Sequence, residues 1–67
     1  MTTFKQANQV RIKLKNKVAN YSWYSTSGVF LEGDQYYVTV NVKRLDDSVK
    51  GVIPPKLDGV SIKVILD

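Results

Sequence analysis

Tyr36, Val38, Val40 and Val42 alternate with Tyr37, Thr39, Asn41 and Lys43, directly after a Gly33-Asp34 pair. A period of two is what a strand with one buried face requires, and no helix tolerates it. Glycine at the first loop position accepts positive φ, which suits a two-residue type II′ turn. The preceding Val29-Phe30-Leu31-Glu32 then becomes the other half of a hairpin. Its register follows from the loop length: Leu31 faces Tyr36, Phe30 faces Tyr37 and Val29 faces Val38. The apolar residues of both strands thus share one side, and Phe30 and Tyr37 share the other.

A chain of 67 residues makes one domain, 1–67, and a domain so small has a thin stability margin. It has no cysteine for a disulfide or thiolate site and no histidine for an imidazole ligand. Apolar packing must therefore hold it, alone or with a partner subunit. The start, Met1-Thr2-Thr3, runs into polar sequence without an apolar leader or spanning stretch. The expectation is a soluble, cytoplasmic protein, complete from its own start codon and without membrane attachment.

The first twenty residues hold Lys5, Arg11, Lys13, Lys15 and Lys17 and no acid, within a formal net charge of +4. Residues 3–18 admit two readings. As a helix, Phe4, Ala7, Val10, Leu14 and Val18 form one stripe, and Thr3 with Gln6 has capping-box spacing. As a strand, 10–15 alternates and Ile12 finds a place that the helical stripe denies it. Length, cap and residue propensity favour a helix over 4–18, with Asn20 closing it in a left-handed conformation. The strand reading would instead make a small all-β barrel.

Residues 21–27 are rich in aromatic and hydroxyl side chains and extend the first strand backwards. A continuous register puts Trp23 and Ser25 on the face of Val42 and Tyr24 opposite Lys43, on the outer side. One inserted residue, for which Gly28 is the candidate, would exchange those faces. Asp46 or Asp47 caps a short helical turn carrying Val49, Val52 and Ile53, and Pro54-Pro55 forces an extended exit. Asp58-Gly59 is a turn signal, followed by a strand with Val60, Ile62, Val64 and Leu66 inward and Ser61, Lys63 and Ile65 outward. The expected fold is α+β: one amphipathic helix on a three-stranded, mainly antiparallel sheet, in the order α-β-β-β with a helical turn before the last strand.

Two resemblances accompany this reading. Gly28-Val29, Tyr37-Val38-Thr39-Val40, Ile53-Pro54 and 58–64 (Asp-Gly-Val-Ser-Ile-Lys-Val) follow a cadence similar to small open-sheet α/β modules, which implies fold alone. Phe4-Lys5-Gln6-Ala7-Asn8, Trp23-Tyr24-Ser25 and Asn41-Val42-Lys43 resemble, in style, small accessory proteins of large T-even-type tailed phages. The resemblance implies a small modulator of host or viral machinery acting in the host cytoplasm, and it carries no residue roles.

Without histidine or cysteine, the common general-base and thiol nucleophile pairings have no members. Asp46-Asp47 at a helix start is a cap before it is a metal or acid–base site. Gly33 and Gly59 sit in turns and form no phosphate loop. The expectation is a non-enzymatic protein without cofactor, metal or small-molecule substrate. Two surfaces remain. Lys5, Lys13, Lys15 and Lys17 are candidate anion contacts, with a solvated helix face as the plainer and preferred reading. On the outer sheet face, Phe30, Tyr37, Tyr24, Lys43, Lys63 and Ile65 form a candidate partner-binding set. Aromatics flanked by lysines can stack unpaired bases or dock on a protein, or simply stabilise the hairpin. Glu32 and Asp34 border the set and would repel phosphates, so a larger protein target is preferred, bound by a regulator or inhibitor acting alone or as a homodimer. A single-stranded nucleic-acid-binding module is the alternative.

Overall fold

A computed structural model describes residues 2–67. Its elements are α1 (Phe4–Val18), β1 (Tyr24–Glu32), β2 (Gln35–Val42), α2 (Asp47–Val52), β3 (Lys56–Leu57) and β4 (Val60–Leu66). The fold is α+β, with α1 packed on one face of an open four-stranded sheet of order β1-β2-β4-β3. The barrel alternative is thereby excluded: 10–15 lies within a continuous helix.

The helix forms where its cap and stripe place it. Thr3 is extended, and its hydroxyl accepts from the Gln6 amide at 3.1 Å. Ala7, Val10, Leu14 and Val18 are all buried, one face of a 3.6-residue period. Ile12 is exposed, as its place off the stripe demands. The C-terminus differs from expectation. Ala19 caps α1 in ordinary right-handed geometry, and Asn20 has no positive φ. The Tyr21 amide instead donates to the Val18 carbonyl, and Tyr21 stacks on the buried Trp23 at 4.9 Å between centroids. With the Tyr24 amide donating in turn to the Tyr21 carbonyl at 3.2 Å, the chain turns without a left-handed residue.

The hairpin register is the expected one: Val29 pairs with Val38, Phe30 with Tyr37 and Leu31 with Tyr36. Gly33 has φ +64°, in keeping with the turn its position called for. Further back the register slips by one residue, at Ser25 rather than at Gly28. Tyr24 pairs with Val42 and Thr26 with Asn41, leaving Ser25 as the extra residue. The bulge sends Tyr24 to the helix side, where it packs against the core.

The sheet has a fourth strand and a parallel pairing that the sequence did not announce. β2 and β4 run parallel, Val38 beside Ile62 and Val40 beside Val64. The connection from Val42 to Val60 is long enough for a crossover, which a parallel pair needs and a hairpin does not. Along it, Asp46 caps α2 by accepting from the Val49 amide at 3.1 Å, and Val49 and Ile53 enter the core. β3 then pairs antiparallel with β4 through Asp58 (φ +51°) and Gly59 (φ +80°). Two consecutive positive φ values make this a type I′ hairpin. Leu66, beside Val42 in the register and on the core side by alternation, is nevertheless exposed at the end of β4.

Candidate functional site

α1 covers Val38, Val40 and Val42, so the opposite sheet face is left to the outward residues of β1, β2 and β4. Phe30 and Tyr37 lie side by side there, ring centroids 6.0 Å apart and planes inclined by 27°. Phe30 is 53% exposed and Tyr37 is partly covered. Gly28 lies directly beneath the Phe30 ring. A methyl group at that position would meet the Phe30 ring at 3.2 Å and the Thr39 hydroxyl at 3.5 Å. Thr39, between Gly28 and Lys63 in the sheet, is buried on this otherwise open face.

Lys63 completes the cluster. Its Nζ lies 4.2 Å from the Tyr37 ring centroid and donates to Glu32 Oε2 at 2.9 Å. The Glu32 hydrogen bond, foremost, holds the Lys63 ammonium above its ordinary pKa. Ile65 follows on the same strand, exposed and paired with Asn41. Asn41 Nδ2 donates to Asp67 Oδ1 at 3.1 Å. That bond, with a second from Ser25 and the charge of Lys43, keeps the Asp67 carboxyl below the usual carboxylate range. The face is therefore aromatic at its centre and mixed in charge at its edges: Lys63 against Glu32, Lys43 beside Asp67.

Of the six outer-face candidates, Phe30, Tyr37, Lys63 and Ile65 meet on one surface, and exposed Lys43 lies just past the end of β2. Tyr24 does not belong to it. The Ser25 bulge placed it on the core side, where its hydroxyl and that of Ser27 share a hydrogen bond at 3.1 Å. The basic set divides as well. Lys13 is held by Asp58 at 3.0 Å, an ion pair between α1 and the β3–β4 turn. Lys5, Lys15 and Lys17 are exposed on α1 and enter no ion pair among the described residues.

Two hollows flank the sheet. A shallow polar one of about 190 Å³ lies beside Tyr37, Lys63 and Glu32, with Thr2, Gln35 and Ser61 around it. An apolar cleft of about 340 Å³ lies between Ile53, Pro54, Pro55 and Leu45 on one side and Ile62 and Val64 on the other. Sequence reasoning missed the cleft because it depends on the parallel placement of β4. Among the described residues no cluster of three metal-ligating acids forms, and no helix is long and apolar enough to cross a membrane. No known family, curated protein or solved structure matches the chain.

Proposed function

We propose that this is a non-enzymatic interaction protein that binds a larger protein target through the outer face of its sheet, with Tyr37 and Phe30 as anchors. The observation that carries this reading is the stacked ring pair, Phe30 half-exposed and Tyr37 partly covered, on the face that α1 leaves uncovered. Large rings left in water by a small domain forfeit burial worth roughly 1.5–3 kcal/mol each, which a bound partner recovers. Aromatic residues ringed by polar and charged groups are the usual composition of a protein-binding hot spot.

The charge layout favours protein over nucleic acid. A single-strand binder pairs stacking aromatics with a positive groove, whereas here Lys63 is engaged by Glu32 and Lys43 lies near Asp67. The unengaged Lys5, Lys15 and Lys17 are on α1, on the other side of the sheet. A regulator or inhibitor that occupies a surface of host or viral machinery would fit both this chemistry and the stylistic resemblance to phage accessory proteins.

The test is capture of partners from the cognate cell extract, with and without nuclease, using the natural chain and Tyr37→Ala. A protein retained after nuclease and lost with Tyr37→Ala is the expected result. Retention of nucleic acid alone, or capture indifferent to Tyr37, overturns the reading.

A further inference from the structure

The long edge of the sheet is β1, and its stretch from Ser27 to Leu31 carries none of the devices that discourage strand pairing. From Ser27 to Leu31 it is regular, the bulge being confined to Ser25, and it contains neither proline nor lysine. Its only charge is the terminal Glu32. Exposed regular edges of this kind template the addition of another strand.

The direction of the free backbone groups follows from the hairpin. Glu32 and Gln35 flank a two-residue turn, so they form a hydrogen-bonded pair. By alternation Phe30 and Gly28 also turn their amides towards β2. Leu31, Val29 and Ser27 turn theirs outward, where β1 has no neighbouring strand.

We infer that the protein forms a two-fold dimer in which β1 pairs antiparallel with β1 of a second copy, the axis passing at Phe30. Outward amides must meet outward amides, so only a few registers are open, centred on Gly28, Val29 or Phe30. The apolar run Val29-Phe30-Leu31 decides among them, because it is symmetric about its middle residue. Centred there, each Leu31 faces the second copy's Val29, and Phe30 faces Phe30 across the axis. Glu32 falls opposite Gly28, so no like charges oppose one another. Centred on Val29, the exposed Leu31 would face Ser27 instead, and on Gly28 its partner would be Ser25, at the bulge. The self-pairing continues the sheet to eight strands. It also aligns four rings in one row, Tyr37, Phe30 and their two counterparts, on the outer face. The inference rests on the β1 edge alone and does not require that the face bind a target.

Sedimentation of the purified chain through the micromolar range tests it. The expected result is a species of twice the 7.6 kDa chain mass. Leu31→Pro removes an outward amide at an exposed edge position, where proline spares the β1–β2 ladder. Phe30→Lys brings like charges together at the axis. Each should weaken the dimer at least tenfold, with an unchanged far-UV spectrum. A third variant reads the register itself. Non-hydrogen-bonded opposite residues bring their Cα atoms to about 4.5 Å, within disulfide reach. In a chain without cysteine, Phe30→Cys should therefore cross-link on mild oxidation while Ile65→Cys does not. A natural chain that stays monomeric throughout the range overturns the inference. So does a dimer that survives both edge variants, or one that cross-links through position 65 and not through 30.

Discussion

The ammonium of Lys63 sits 4.2 Å from the centroid of the Tyr37 ring, although the two residues come from parallel strands joined by a long crossover. The pair links side chains of β2 and β4 across the outer face, beside the backbone ladder that already joins the two strands. Exposed cation–ring contacts contribute about 0.5–1 kcal/mol, so the arrangement orients Tyr37 more than it stabilises the domain. Lys63→Ala should therefore lower the melting temperature by only a few degrees and weaken target capture through a looser Tyr37 ring. Thermal melts beside the capture assay separate the two effects.

Tyr37 and Val38 are neighbours on opposite faces, and their substitutions should have opposite consequences. Val38 is fully buried beneath α1, so Val38→Ala leaves a cavity and should cost about 1–3 kcal/mol in denaturant unfolding. Tyr37→Ala should preserve most of the stability and lower partner affinity by about 2 kcal/mol or more. Unfolding by Tyr37→Ala with a silent Val38→Ala would be irreconcilable with the observed register.

Leu14 is 1% exposed at the centre of the helix–sheet contact. Truncating it to alanine should cost about 2–5 kcal/mol, a large part of what holds so small a domain folded. Chemical denaturation followed by circular dichroism would show the transition midpoint fall or the cooperative transition disappear.

Asp46 ties pH to the crossover. Hydrogen bonds from Ser48 and from the Val49 amide hold its carboxyl below the ordinary value. A depressed folded-state pKa means stabilisation that is present above the unfolded value and lost as pH falls through the folded one. Stability should thus decline in the acidic range below the ordinary carboxylate pKa. Asp46→Asn retains an N-cap acceptor and should flatten the part of that decline due to Asp46. Urea midpoints measured at neutral and acidic pH for both chains would reveal the difference.

Gly59 has φ +80° in the β3–β4 turn, a conformation hostile to a Cβ. Gly59→Val should destabilise by about 1–2 kcal/mol or more, although the nearest heavy atom to the added Cβ is 4.0 Å away, on Gln6. The loss would come from backbone strain and not from a clash. Gly51→Val sits in open space without positive φ and serves as the comparison in thermal unfolding.

The helix, the β1–β2 hairpin and the Asp46 cap were all legible in the order of the residues. Each is decided by neighbours within a few positions: Thr3 reaches Gln6, Gly33 sets a two-residue loop, and Asp46 reaches Val49. The ring pair of Phe30 and Tyr37 followed from the same loop, since register carries face along a strand. Local rules failed where the chain's path depended on distant contacts. The bulge at Ser25 moved Tyr24 from the outer face to the core side, where it pairs with Val42 and packs against the buried cluster that also holds Trp23. Neither the parallel docking of β4 beside β2 nor the pairing of Lys13 with Asp58 is written in any short segment. Both depend on where the 43–59 crossover returns the chain, and that is decided by packing Val49, Ile53, Val60 and Ile62 into one core. Periodicity and turn chemistry thus determined which residues face inward along most of each element. Only the tertiary packing decided which elements lie side by side, and so which side chains form a surface.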